Sequence, residues 1–499
     1  MTRTPAKLIP EDFPVLPGLE KLDDLEVVLD TTDQAQAIGY LIFEDAPVPE
    51  EAGFSAEQLK ELGFTPKTGE GLLLPNPHGA DVIALGAGKT QDLDGPALRD
   101  IAAAAVNAAK NASRVGIVGS IKVPHAARYL VEGALLARYR YEALKSEPKH
   151  THLEKLLLQG CDSTSADVET GRNLARATVI ARDLTNTPPG YLTARDLAEA
   201  AANLAQQHQL GIEIFDNDAL IEMGCGGLLG VNRGSYEPAR LIKLHYSPSD
   251  PVAHIGLVGK GITYDSGGVS LKPSDQFHQV MKMDMGGAAA ILGAMSSLPA
   301  TQAQVEVTAW LLCTDNMISG DAYRLGDVLT AADGTTVEVK NTDAEGRLVL
   351  MDGLSLAAQE DLDAIIDVAT LTGAAIVALG QDLAATFTND DALAAIVTEA
   401  STNTGEETWR LPLEQKYRSQ LDSLVADISN VGGTRFGGAI VAALFLQHFV
   451  GDTPWVHVDI AGPMNQEKPE GWRPAGATGF GARLLLDVIE NYASADTSN

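Results

Sequence analysis

Three apolar runs, Val252–Val258, Val305–Leu312 and Ala364–Thr370, each empty into a loop rich in Gly, Asp or Thr. Short continuous apolar runs bounded in this way read as buried strands. In open α/β sheets, ligand sites form outside the carboxyl ends of the strands. The polar residues of this chain collect where that rule expects them. The N-terminal third has the same character, with strands expected at Leu25–Leu29, Asp81–Leu85 and Val115–Val118 and a helix over Ala97–Ala112. Alternation of this kind predicts an α/β fold.

At 499 residues the chain is too long for one ordinary core,. The expectation is two domains, 1–165 and 166–499, each a mixed or parallel sheet flanked by helices, the C-terminal one catalytic. The polar stretch Tyr141–Cys161 reads as the connector between them,. A helix over Ser163–Arg182 should stop at the turn that Pro188 and Pro189 enforce,. Thr193, with Asp196 three residues on, should cap a second helix through about Gln207,.

Thirty-six basic residues against 67 acidic give a net charge of −31, which argues against a general nucleic-acid or anionic-membrane surface,. Met1–Asp24 has no apolar core of a signal peptide, and Ala364–Gly380 is too short and too interrupted to span a membrane, reading as a buried strand plus turn,. Three widely spaced cysteines fit reduced thiols and a cytoplasmic setting,. Gly86-Ala-Gly-Lys-Thr90 lacks the leading glycine of a phosphate loop, Ile83 standing there, so a strand-end turn is expected,.

Asn341-Thr-Asp-Ala-Glu-Gly-Arg-Leu348 sets Asp343, Glu345 and Arg347 at alternating positions. Read as extended chain, it would turn all three to one face. Upstream stand Lys260 and Asp265 in Gly259–Gly268, then Lys272, then Asp284 ahead of Gly286-Gly287. Four carboxylates cannot share one cleft as anions without compensation. Oxygen-binding divalent cations such as Mg²⁺, Mn²⁺ or Zn²⁺ supply it. Two of them, about 3.5–4 Å apart, would activate a bridging water. The lysines and Arg347 would then face the developing oxyanion. Hydrolysis of an amide and hydrolysis of a phosphate ester both fit this inventory. No HExxH motif is present, and no Gly-x-Ser-x-Gly marks a nucleophile elbow,.

NTDAEGRL at 341–348, preceded by VGKGITYDSGG, LKP and MKMDMGGAAA, resembles the leucine aminopeptidase (M17, cytosol aminopeptidase) family. So do ARDLTNTPPGYLT at 181–193, ADISNVGG at 426–433, WVHVDIAGP at 455–463 and GATGFGARLL at 476–485. The resemblance covers about residues 175–490. Residues 1–165 carry no sharp motif and are compatible with the family's variable, macro-like N-terminal domain.

The resemblance implies a metallo-aminopeptidase with two Mn²⁺ or Zn²⁺ ions per subunit. Lys260, Asp265, Asp284 and Glu345 would hold the readily exchanged metal. Asp265, Asp343 and Glu345 would hold the tighter one. By the same resemblance Lys272 stabilises the gem-diolate oxyanion, and Arg347 holds a bicarbonate ion as general base. Met281, Thr370, Leu371, Gly373, Ala461 and Met464 would wall an apolar pocket for a Leu- or Met-sized side chain. Peptide substrates and a homohexamer are further implications. Some family members also bind DNA, a role the −31 charge opposes here.

One residue more than the usual spacing separates Lys272 from Asp284, in Ser274–Gln279. His278 within that segment is not expected to be a ligand. His254 and His457 read as sheet histidines, Asp459 as a carboxylate bonded to loop amides, and Trp455 and Trp472 as core anchors. Arg435, bracketed by glycine pairs, reads as a packed turn rather than an anion nest.

Overall fold

The computed structural model describes residues 13–434 and 436–496. Arg435 lies outside the described residues. The chain forms two compact units, one of Pro17–Val179 with Gln466–Thr478, the other principally Ile180–Asn465 and the segment from Gly479 onward. The division falls within the helix Ser165–Asn186; residue 165, the boundary expected from sequence, lies at its start.

The first unit holds β1 Glu26–Leu29, β2 Ala37–Ile42, β3 Gly71–Leu74, β4 Asp81–Gly86, β5 Arg114–Ile121 and β6 Lys155–Cys161. They form one sheet in the order β1-β6-β5-β2-β4-β3, parallel except for β3. β6 lies inside the stretch read as a connector. Leu156, Leu157 and Leu158 are all buried there, and three apolar residues in a row outweigh the polar flanks,. The Ala-rich helix Gly95–Ala108 is buried along most of its length, and Trp472 packs into the same core. Gly86-Ala-Gly88 is a strand-end turn, with Gly88 at φ +66°.

The second unit is built on eight strands: β7 Gly211–Phe215, β8 Arg240–Tyr246, β9 Ala253–Asp265, β10 Val305–Asn316, and, beyond the short pair β11 Val328–Thr330 and β12 Thr336–Glu338, β13 Ala364–Ala369, β14 Ala384–Thr388, β15 Thr408–Arg410 and, after β16 Ile428–Ser429, β17 Trp455–Asp459. The order is β15-β14-β17-β13-β9-β10-β8-β7, with β17, β13, β9 and β10 parallel at the centre. β11, β12 and β16 make a separate small sheet. Mixed α/β architecture in both units matches the sequence expectation.

Two local features differ from that expectation. β9 does not end at Val258 but runs on to Asp265, because Gly259 and Gly261 let neighbouring atoms close on the strand. A β-carbon at Gly259 would lie 2.9 Å from the Ala288 backbone, and one at Gly261 2.8 Å from Leu312 O. The run after β13 is likewise not a simple turn; Thr372 caps a short helix, Gly373–Leu379, through a bond from Ala375 N.

Candidate metal centre

β9 is the root of the site. It carries Lys260 in its interior and Asp265 at its carboxyl end, both buried. Gly267 and Gly268 follow at φ +85° and +61°, left-handed values that glycine adopts without strain,. They fold the chain back so that Gly267 N donates to Asp265 Oδ1 (2.8 Å). Asn316, ending the neighbouring β10, donates to the same oxygen (2.8 Å) and to Thr342 O (3.0 Å).

Asp343, Glu345 and Arg347 do not lie on an extended segment. Asp343 sits in a turn, and Glu345 opens the buried helix Glu345–Ala357. The apolar run Leu348–Met351 continues into Leu354 with helical spacing, which overrides the two-residue alternation,. A carboxylate in the first turn also suits the positive end of the helix.

The charged side chains converge all the same. Lys260 Nζ stands 2.8 Å from Asp284 Oδ1 and 2.9 Å from Glu345 Oε1, and donates to Thr370 O at 2.8 Å. Lys272 Nζ lies 2.7 Å from Asp265 Oδ2 and 2.6 Å from Asp343 Oδ1. Thr370 Oγ1 donates to Asp284 Oδ1 (2.8 Å). Asp265, Asp284 and Glu345 each offer a carboxylate oxygen within 4.8 Å of the others. Arg347 Nη1 donates to Asn430 O (2.8 Å).

Burial and like charge work together on the acids. Burial, with the Glu345 charge added, pushes Asp265 up to about 6 against the pull of both lysines. Burial raises Asp284 well above the carboxylate range, and Asp343 shifts the same way. Glu345 is the exception, since Lys260 and Lys272 outweigh its burial and hold it low. Burial pulls on both ammonium groups, but the surrounding carboxylates hold Lys260 and Lys272 above the ordinary lysine range. Burial brings Arg347 down to about 10.

A carboxylate set of this kind fits hard or borderline divalent cations. Two oxygens bear the fit out: Asp284 Oδ2 and Glu345 Oε2 are buried and have no hydrogen-bond partner among the described residues. Buried acceptors in that condition cost about 1–3 kcal/mol each unless a ligand satisfies them.

Of the residues expected to wall a pocket, Thr370 touches the cluster through Asp284 and Lys260. Met281 begins a 3-10 turn that ends at Asp284, Thr370 and Leu371 follow β13, Gly373 opens its short helix, and Ala461 and Met464 follow β17. Asp459 ties the last two segments together. Its Oδ1 accepts from Leu371 N (3.0 Å), Thr372 N (3.3 Å) and Ala461 N (3.2 Å), and its Oδ2 from Thr372 Oγ1 (2.7 Å). That is the structural carboxylate expected from sequence. His278 is elsewhere engaged, its Nε2 3.1 Å from Tyr264 Oη.

Asn316 and Asn430 were not singled out from sequence. Asn430 accepts from Lys340 N (2.8 Å), donates to Asn341 O (2.6 Å), and so pins the Asn341–Leu348 loop. Its place in ADISNVGG was the available signal. Asn316 had only its position at a strand's carboxyl end.

Residues 179–486 match the family model for the catalytic domain of the cytosol aminopeptidase family, and residues 49–148 match its N-terminal domain model. A probable cytosol aminopeptidase of Trichormus variabilis is 41% identical over 451 residues, spanning 88% of this chain and 91% of the relative. One from Streptomyces avermitilis is 42% identical over 466 residues, spanning 89% and 90%. Among solved structures, the bottromycin maturation enzyme BotP in complex with Mn is similar, with a TM-score of 0.84, 38% identity, and coverage of 92% of this chain and 100% of that one. With its buried carboxylate cluster and a catalytic-domain match over more than half its length, the chain belongs to the cytosol aminopeptidase family of metal-dependent peptidases.

Proposed function

We propose that this chain is a leucyl aminopeptidase that hydrolyses the N-terminal peptide bond of peptides with Leu- or Met-like first residues, using two divalent metal ions. The observation that carries the reading is the convergence of Asp265, Asp284 and Glu345 within 4.8 Å, with buried, unsatisfied oxygens on Asp284 and Glu345. Lys260, its proton displaced by the incoming cations, would join Asp265, Asp284 and Glu345 in holding the exchangeable ion, and Asp265, Asp343 and Glu345 would hold the tighter one. When bound, Mn²⁺ or Zn²⁺ supplies Lewis acidity, making a water nucleophilic near neutral pH and polarising the scissile carbonyl.

The protein's own groups do the rest. Lys272, kept cationic by Asp265 and Asp343, is within reach of a developing oxyanion,. Asp284 is a partner for the free α-amine of the substrate, which accounts for N-terminal selectivity. Arg347 would hold a bicarbonate ion, a general base when bound. Its Nε has no hydrogen-bond partner among the described residues and is free to donate to such an anion. Met281, Thr370, Leu371, Gly373, Ala461 and Met464 would accept the first side chain in an apolar slot.

The proposal extends to a homohexamer in the cytoplasm. Exposed apolar side chains such as Val377 and Leu424 support self-association,. No helix among the described residues is long and apolar enough to cross a membrane.

The test is hydrolysis of a chromogenic leucyl amide with Mn²⁺, with and without a chelator, beside the N-acetylated amide. Turnover that needs both the metal and the free amine is expected. Equal cleavage of the acetylated amide, or no turnover by the metal-loaded protein, overturns the proposal.

A further inference from the structure

The strands that end in the carboxylate cluster begin beside a different group of donors. Thr308 of β10 pairs directly with His245 of β8, and Glu306 of β10 pairs with His254 of β9. Glu306 and Thr308 are two apart and share one sheet face. The register therefore gathers two imidazoles and a carboxylate from three adjacent strands. One donor atom from each of His245, His254 and Glu306 lies within 4.8 Å of the others.

Hydrogen bonds link the three donors through Thr308. Glu306 can only accept, so His245 Nε2, 3.1 Å from Oε1, donates to it,. His245 Nδ1 then accepts from Thr308 Oγ1 at 3.1 Å, and that hydroxyl oxygen accepts from His254 Nε2 at 2.9 Å. Neutral imidazole is the metal-binding form.

We propose that His245, His254 and Glu306 form a second, peripheral site for a borderline divalent cation such as Zn²⁺. Two nitrogens and one oxygen select against Mg²⁺ and Ca²⁺, which prefer all-oxygen shells. Donors around a tetrahedral ion stand on the order of 3–4 Å apart. The present spacing closes to that by rotation about the side-chain bonds, in exchange for the contacts to Thr308, the His245 side chain being 43% exposed. On binding, the proton on His245 Nε2 passes to Nδ1, which then donates to Thr308 Oγ1, and the Nε2 lone pair becomes available to the cation,. Three protein donors leave open positions for water. The site shares no residue with the carboxylate cluster, lying at the opposite end of β9, about 20 Å along the strand from Lys260 at about 3.3 Å per residue. A bound ion would clasp β8, β9 and β10 together.

Equilibrium dialysis against Zn²⁺, with metal counted per chain, tests this on the full-length protein. The wild type should retain one equivalent more than His245→Ala/His254→Ala, and Glu306→Gln should weaken that extra equivalent at least tenfold. Cu²⁺ bound to the wild type should show spectroscopic coupling to imidazole nitrogen that the double variant loses. Leucyl amide hydrolysis should be the same in all three proteins. Equal Zn²⁺ content in wild type and both variants, or an unchanged Cu²⁺ spectrum, overturns the site. A double variant that fails to fold leaves the Glu306→Gln comparison to decide.

Discussion

Lys260 Nζ stands 2.9 Å from Glu345 Oε1, and the residue after Glu345 closes over the pair. A β-carbon at Gly346 would lie 2.7–2.9 Å from the last atoms of the Lys260 side chain. Gly346→Ala should therefore displace the Lys260 amine while leaving the helix intact, since alanine is a better helix former. The expected result is a loss of metal affinity or turnover of about 10–100-fold, as for residues that orient a metal ligand. Metal titration beside a melting curve checks it; an unchanged affinity and kcat would remove Lys260 from the proposed ligand set.

Arg347 separates two roles. If it is a counter-ion to the carboxylates, Arg347→Ala should lose metal and activity together. If it anchors an anion used in the reaction, kcat should fall about 10²–10³-fold, the usual effect of removing a charge-stabilising donor, with metal content unchanged. The second outcome is expected. The wild-type rate should also respond to added bicarbonate, and the variant's should not.

Ala461 limits the proposed slot from the side of β17. Ala461→Leu should lower kcat/KM for leucyl amides relative to alanyl amides by about 10–200-fold, the range for a few methylenes in an apolar pocket. Parallel assays of the two substrates give the ratio directly. A ratio that does not move would place the slot elsewhere.

Gly287 is a purely steric position. A β-carbon there would come within 1.9 Å of Val368 O, a backbone atom of β13 that cannot rotate away. Gly287→Ala should cost about 1–3 kcal/mol, in the range for overpacking a well-filled core. Chemical denaturation reads this, and a variant as stable as the wild type would mean that the helix Gly286–Thr301, which carries Gly287, can slide off β13.

His457 makes stability depend on pH. Its Nδ1 lies 2.6 Å from Asp367 Oδ1, and Trp455 Nε1 donates to the other oxygen at 2.8 Å. Burial pulls the imidazolium down, but Asp367 outweighs it and holds His457 above its ordinary value. The folded chain thus binds this proton more tightly than the unfolded chain. The stabilisation is complete below the ordinary histidine pKa, about 6.5, and is lost as pH rises through the raised value. His457→Gln should destabilise by about 3–5 kcal/mol near pH 6, as expected for breaking a buried pair, and by less in alkaline solution. A gap independent of pH would show that His457 is neutral in the fold.

Much of this could be read from the chain alone, and the failures have physical causes. Strand cores such as Val305–Leu312 announced themselves because burial leaves most positions apolar, Glu306 and Thr308 being the exceptions. Every carboxylate of the cluster was legible through its motif. The backbone around Glu345 was misread, since charges at alternate positions mimic a strand while the residues that decide the helix, Leu348–Leu354, come afterwards. The extent of β9 was hidden by Gly259 and Gly261, which look like loop residues until the close approach of Ala288 and Leu312 is seen. Asn316 and Asn430 were invisible for another reason. Their importance lies in which groups they reach, and no local pattern encodes a partner 26 to 90 residues away.

Asp459 has a consequence for how selectivity in such a chain could diverge. Asp265 and Glu345 are rooted in a central strand and a buried helix, whereas two of the segments proposed to meet the substrate side chain hang from this single acid. Retuning and reaction chemistry are thereby assigned to different parts of the scaffold. Substitutions at Leu371, Gly373 and 461–464 can reshape what is accepted while the cluster stays fixed, provided Thr370 keeps its bond to Asp284 and Thr372 its bond to Asp459. A designer wishing to alter the preferred first residue should vary those positions and leave Thr370, Thr372 and Asp459 alone.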